Sequence, residues 1–226
     1  MGLKMIRIYC IDVSQINEAA YQRFYSTSTQ ERKQKADKYT DRSDAVRCIM
    51  AEALLKYALT DCGYSILPPI EKNKYGKPFF NSVNDLCFSI SHSGDIVLVA
   101  LSDKQIGVDV EQINRTTDRL GIANKFFSKA EYEYVFSSSD EQQRNERWTQ
   151  IWTLKESYIK YIGQGLSKRL NTFEVSFSQN GILLTDNGKI LDRIYMNSFM
   201  LEKEYAVAVC GEYNDFELKR IALYEL

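Results

Sequence analysis

Apolar and polar positions along the chain fall into stretches of period two and stretches of helical period. Residues 6–13 are apolar and partly alternating, which predicts a first strand. Residues 15–24 follow as a short helix. Residues 29–38 carry Glu31, Arg32, Lys33, Lys35 and Lys38 and predict a charged helix opening at a Thr or Ser cap. Over 43–59, apolar residues at 46, 49, 50, 53, 54 and 57 keep helical spacing, with Asp44 near the positive end of the helix dipole. Pro68-Pro69 breaks the chain, and Asn73-Lys74-Tyr75-Gly76-Lys77-Pro78 is a turn by composition. Strands are expected at 86–91, at 96–102 after a turn at Ser93-Gly94-Asp95, and at 106–110. Helices are expected at 120–127 and 129–136, then a polar loop at 137–143 and the most periodic helix at 148–162. Runs at 172–177, 182–184, 199–201 and 205–210 read as strands. The order predicts an α+β protein of two α+β halves, 1–105 and 106–226, with no readable internal repeat.

Composition narrows the chemistry. With 226 residues, 44% hydrophobic and 26% charged, the chain suits a globular protein of one or two cores. A net charge of −1 gives no argument for nucleic acid or an anionic membrane, so any anion site must be a local cluster. No apolar run approaches the roughly 20 residues of a membrane span, and the start of the chain has no signal-peptide pattern. The five cysteines are scattered without a Cys-x-x-Cys and read as free thiols in a reducing cytoplasm. His92 is the only histidine, so a metal would be held by oxygen ligands, which points to Mg²⁺ or Mn²⁺.

Four features carry chemistry. In Ile106-Gly107-Val108-Asp109-Val110-Glu111, residues two apart share a strand face, so Asp109 and Glu111 point the same way. Such a pair is either a solvated edge or a cation site. In the helix around Trp148, Ile151, Trp152 and Ile159, Lys155 falls in the middle of the apolar stripe and Glu156 on its border. A centred lysine breaks the amphipathic rule and marks either a functional group or a snorkelling side chain. Ser91-His92-Ser93 ends a strand before Gly94. Neighbouring strand side chains point to opposite faces and no Gly-x-Ser-x-Gly is present, so a Ser-His hydrolase is disfavoured. Arg32, Lys35, Arg47 and Lys77 form a basic set that reads as a solvated face alone and as a phosphate pocket beside a metal.

Together these features resemble the Sfp-type family of 4′-phosphopantetheinyl transferases. The matching pieces are Tyr75-Gly76-Lys77-Pro78, Ser89-Ile90-Ser91-His92-Ser93, Ile106-Gly107-Val108-Asp109-Val110-Glu111, Phe126-Phe127-Ser128-Lys129-Ala130-Glu131-Tyr132 and Trp152-Thr153-Leu154-Lys155-Glu156-Ser157-Tyr158-Ile159-Lys160, in family order. The resemblance implies a pseudo-dimeric, cytoplasmic monomer with coenzyme A in the cleft between the halves. It also implies Mg²⁺-dependent transfer of phosphopantetheine to a serine of an apo acyl or peptidyl carrier protein, in nonribosomal peptide or polyketide (antibiotic) biosynthesis. By the same resemblance Asp109, Glu111 and Glu156 hold the metal, and Lys160 contacts the pyrophosphate with Lys155 close by. Glu131 is the candidate base. Arg32, Lys35, Arg47, Ser91 and His92 face the phosphates, and Tyr75, Gly76 and Lys77 line the adenine and phosphate pocket. Cys48 stands where relatives often have a hydroxyl. Carriers are expected to dock on 115–136 and on the loop 163–166. The competing readings are a non-catalytic coenzyme A- or carrier-binding module and another Mg²⁺-dependent phosphotransferase.

Overall fold

The computed structural model describes residues 3–83, 85–113 and 118–226. Its first strand, β1 (Ile6–Asp12), is followed by three helices: α1 (Glu18–Thr27), α2 (Gln30–Ala36) and α3 (Arg42–Asp61). A small hairpin, β2 (Ile70–Lys72) and β3 (Pro78–Phe80), precedes β4 (Cys87–Ser93), β5 (Ile96–Ser102) and β6 (Ile106–Gln112). Helices α4 (Arg119–Phe126), α5 (Lys129–Phe136) and α6 (Glu141–Ile162) come next. The chain ends on β7 (Phe173–Ser178), β8 (Gly181–Asp186), β9 (Lys189–Ile190), β10 (Tyr195–Leu201), β11 (Tyr205–Gly211) and β12 (Phe216–Arg220). Among the described residues no helix is long and apolar enough to cross a membrane.

Two sheets lie face to face. The first runs β12-β1-β5-β4 and the second β6-β11-β10-β8-β7, with β9 beside β8. Ile6, Ile8 and Cys10 of β1 and Ile96, Leu98 and Ala100 of β5 meet Ile106, Val108 and Val110 of β6 and Val207 and Val209 of β11 in a core between the sheets. The opposite faces of β1 and β5 pack on α1–α3 through Tyr9, Ile11, Val97, Val99, Ile49 and Leu55. The second sheet packs on α6 through Leu154, Tyr158, Val175 and Ala208. This layering leaves β5 and β11 buried on both faces, which is why Ile-Val-Leu-Val-Ala-Leu-Ser and Tyr-Ala-Val-Ala-Val-Cys-Gly are nearly unbroken apolar runs. β12, from the far end of the chain, pairs parallel with β1 in the first sheet.

Helix α6 begins at Glu141, so 141–143 are helical rather than part of the expected loop. Asp140 caps the helix by accepting from the Gln142 N–H, and the good helix formers Glu141, Gln142, Gln143 and Arg144 need no burial to extend it. Two devices then bring α6 and the halves together. Gly107 leaves no side chain between β6 and α6: a Cβ there would stand 2.0 Å from the Ser157 carbonyl oxygen and 2.5 Å from the Tyr161 nitrogen. Ser89, Ser91 and Ser93, on one face of β4, accept from the backbone N–H groups of Val108, Val110 and Gln112 of β6 at 3.0, 3.3 and 3.1 Å. This side-chain ladder joins the two sheets where strand-to-strand bonds are not made. Gly107→Ala is expected to push α6 off β6, costing about 1–3 kcal/mol in denaturant unfolding. Wild-type stability in that variant would contradict the close-contact role.

Candidate active site

A cleft of about 820 Å³ opens between α2, α3 and the β2–β3 hairpin on one side and β4, β6 and α6 on the other. Its walls include Arg32, Lys35, Lys56 and Lys72 on one side, Ser91, His92, Asp109, Glu111, Trp152, Glu156 and Lys160 on the other, and an apolar shelf of Leu67, Pro68, Pro69, Ile70, Pro78, Phe88 and Ile90. A smaller recess of about 280 Å³ continues past Tyr75, Gly76, Lys77 and Ile159 to Gly163 and Gly165.

The acidic wall is built from β6 and α6. Alternation on β6 turns Val108 and Val110 into the core between the sheets and Asp109 and Glu111 toward the cleft. The Gly107 contact sets α6 close enough for Glu156 and Lys160, one helical turn apart, to cover them. Lys160 Nζ donates to Asp109 Oδ1 at 2.7 Å and to Ser91 Oγ at 2.8 Å, and Ser91 donates to the same Asp109 oxygen at 2.8 Å. Ser93 Oγ donates to Glu111 Oε2 at 2.7 Å. Burial, with Asp109 and Glu111 adding to it against the opposing charge of Lys160, raises the Glu156 pKa to about 7.

This donor set suits a hard cation. All three carboxylates supply oxygen, and Asp109 Oδ2 is buried without a hydrogen-bond partner. Among the described residues, no three Asp, Glu, His or Cys side chains already surround a common point. The set is open, with Lys160 holding one oxygen of Asp109.

The basic wall comes from α2 and α3. Arg32 and Lys35, one turn apart on α2, line the cleft, and the Lys35 ammonium has no ion-pair or hydrogen-bond partner among the described residues. Arg32 Nη1 points at Cys48 Sγ, 3.8 Å away, so the residue expected in place of a hydroxyl does border the cleft. The His92 ring is open to cleft water yet enclosed by the walls. That enclosure, followed by the charges of Arg47, Lys160 and Lys35, pushes its pKa down to about 4.

Three expected site residues sit elsewhere, and a fourth, Lys77, lines the recess with its charge turned away. Arg47 is not a cleft wall: it donates to the Gly94 carbonyl at 2.8 Å and pairs with Asp44 at 2.6 Å, steadying the turn that follows His92. Lys77 Nζ turns away to Gln105 Oε1 and to the Ile106 and Tyr161 carbonyls at 3.0–3.1 Å, hanging the β2–β3 hairpin on α6. Lys155 and Glu131 are fully buried and face each other: Nζ lies 2.8 Å from both Glu131 oxygens and 2.9 Å from the Phe173 carbonyl. Glu131 also accepts from the backbone N–H groups of Ser128 and Val175. The lysine centred on the apolar stripe therefore neither snorkels nor reaches the cleft. It finds a buried partner on α5. Of the expected carrier-docking segment 115–136, residues 115–117 lie outside the described residues.

Sequence reasoning missed Glu52, Thr29, Lys56 and Ser93. Ser93 had a signal in the period-two run Ser89, Ser91, Ser93. Glu52 lies off the apolar face read at 46, 49, 50, 53, 54 and 57 and instead interrupts a second stripe of Ala45, Cys48, Leu55 and Leu59 on the other side of the helix.

The profile of the 4′-phosphopantetheinyl transferase superfamily matches residues 105–210. A 4′-phosphopantetheinyl transferase from Bacillus subtilis is 30% identical over 200 residues, covering 86% of this chain and 86% of its own. The 4′-phosphopantetheinyl transferase Sfp from Bacillus subtilis strain 168 is 29% identical over 220 residues, 93% of this chain and 94% of its own. The 4′-phosphopantetheinyl transferase gsp from Aneurinibacillus migulanus is 31% identical over 190 residues, 82% and 77% respectively.

Proposed function

This chain belongs to the Sfp-type 4′-phosphopantetheinyl transferase family, and from that premise we propose that it moves phosphopantetheine from coenzyme A to a carrier serine with Mg²⁺ held in the cleft between residues 1–105 and 106–226. The observation that carries the reading is one cleft with carboxylates from β6 and α6 on one wall and the cations of α2 and α3 on the other. Coenzyme A carries a flat adenine and, on its ribose, a 3′-phosphate and a 5′-pyrophosphate that leads to the pantetheine arm. The cations Arg32 and Lys35, with His92, suit its 3′-phosphate, and the shelf around Pro69, Pro78 and Phe88 suits its adenine. Tyr75 and Gly76 border that shelf. Arg47 and Lys77 act through the turn and hairpin they hold.

Asp109, Glu111 and Glu156 would hold the cation. When bound, it supplies charge neutralisation for a pyrophosphate whose phosphorus is under attack. Lys160, beside Asp109 and Ser91, is placed to bind the bridging and leaving oxygens. The serine oxygen forms a bond to the phosphorus carrying the pantetheine arm, the pyrophosphate P–O bond breaks, and 3′,5′-ADP leaves. The serine proton needs an acceptor that faces the cleft. Glu131 does not face it, and its oxygens are already committed to three donors through four hydrogen bonds. Glu156 does face it.

Incubation with coenzyme A, Mg²⁺ and apo carrier proteins is expected to add one phosphopantetheine per carrier, read by intact mass. No addition to any of several acyl and peptidyl carriers would overturn the reading, and carrier-independent release of 3′,5′-ADP would point to a phosphohydrolase instead.

His92 gives a second test. Free, it is neutral above a pH of about 4, and a neighbouring dianion draws its pKa upward. Between the free and bound values, coenzyme A binding takes up a proton, and affinity falls as pH rises through the bound value. Calorimetry in buffers of different ionisation heat is expected to show this uptake for coenzyme A but not for 3′-dephospho-coenzyme A, and to lose it in His92→Gln. Equal proton counts for the two ligands would remove His92 from the phosphate site.

A further inference from the structure

Helix α2 has little to hold it in place. It is seven residues long, and only Ala36 is buried. So short a helix is not stable by itself, and six polar side chains give it almost no apolar anchor. Yet it carries Arg32 and Lys35, the two cations of the basic wall, so their position depends on whatever ties α2 down.

That tie is Glu52 of α3, a carboxylate only 2% exposed. Oε1 accepts from the Thr29 backbone N–H at 2.8 Å and from Lys56 Nζ at 2.8 Å. Oε2 accepts from Thr29 Oγ1 at 2.6 Å, with Arg32 Nε at 3.5 Å. Thr29 is the N-cap of α2, and its hydroxyl in turn accepts from the Arg32 backbone N–H. The bonds run in series, from a buried carboxylate through the cap hydroxyl to the backbone of the residue that must face the phosphate. The other ties of α2 are longer or more exposed: Arg32 Nη1 to Cys48 Sγ at 3.8 Å, Tyr25 to the C-cap Asp37 at 3.1 Å, Lys33 to the Ser26 carbonyl at 2.9 Å and Lys72 to Glu31 at 3.2 Å. Burial raises the Glu52 pKa, but bonds from Lys56 and Thr29 outweigh it and leave the group below its usual value, ionised at neutral pH.

We propose that Glu52 is a positioning residue for the 3′-phosphate of coenzyme A, locking the N-terminus of α2 to α3 so that Arg32 and Lys35 face the cleft. The inference rests on the assignment of that phosphate to the basic wall. It runs against the simple electrostatic expectation, since removing a negative charge from an anion site otherwise tightens anion binding.

The experiment measures Kd and KM for coenzyme A and 3′-dephospho-coenzyme A in Glu52→Gln, Thr29→Val, Thr29→Ser and Arg32→Ala. Glu52→Gln and Thr29→Val are expected to weaken coenzyme A by about tenfold and dephospho-coenzyme A by less than about twofold, with kcat at saturation nearly kept. Thr29→Ser keeps the relay and is expected to behave as wild type. Tighter coenzyme A binding in Glu52→Gln, or equal losses for both ligands together with a lowered Tm, would overturn the positioning role. Arg32→Ala separates the two levels. If it leaves the preference for the 3′-phosphate intact, the phosphate assignment fails. If it removes that preference while Glu52→Gln does not, the positioning role alone fails.

Discussion

Glu156→Gln is expected to abolish transfer, lowering kcat by about a thousandfold or more, while coenzyme A still binds within a modest factor. The substitution keeps the shape of the side chain and removes its charge. In the protein, Glu156 is half-buried beside Asp109 and Glu111, and burial first, with those two carboxylates, raises its pKa against the charge of Lys160. Remove one and the crowding falls, so the variant is also expected to be no less stable than wild type in the absence of divalent cation. What is lost is the oxygen donor to the cation and the cleft-facing proton acceptor together, and electrostatic stabilisation of this kind is commonly the largest single contribution to such reactions. Intact-mass assay of an apo carrier gives the rate, and calorimetry gives coenzyme A affinity. A variant that transfers at near wild-type rate would overturn both roles of Glu156.

Glu131→Gln is expected to cost about 3–5 kcal/mol of stability, because it leaves Lys155 as an uncompensated, fully buried charge. Burial alone pushes the Lys155 pKa down, and Glu131 is what opposes that. The distinguishing experiment is the double variant Glu131→Gln/Lys155→Met. With the lone cation gone, most of the stability is expected to return, since the glutamine oxygen still accepts from a backbone N–H. Transfer should return with it. If instead Glu131 takes the serine proton, the double variant folds at wild-type stability and stays inactive. Chemical denaturation paired with kcat separates the two results.

The two cases show what was legible in the sequence and what was not. Lys155 could be seen as misplaced because it interrupts an apolar stripe of fixed helical period. Its partner could not, because Glu131 lies 24 positions earlier on another helix and pairs only once α5 docks on α6. The cleft-facing acids were legible because strand alternation alone puts Asp109 and Glu111 on one face. The strands at β5 and β11 were plain for a related reason: burial on both faces leaves an unbroken apolar run. β2 and β3 escaped, being three residues each around a turn rich in Lys and Pro. β12, Phe-Glu-Leu-Lys-Arg, is an edge strand whose pairing with β1 joins residues some 210 positions apart, and nothing local announces it. Arg47 and Lys77 carried the right charge for a phosphate pocket, but nearby carbonyls and Asp44 claim them first.

The measurement that bears most directly on the account is an anomalous-scattering crystal structure with Mn²⁺ and coenzyme A. The account predicts a peak in the cleft within about 2 Å of oxygens from Asp109, Glu111 and Glu156, and a pyrophosphate oxygen completing the set. A peak elsewhere, or coenzyme A seated in the cleft with those three carboxylates free of metal, would contradict it.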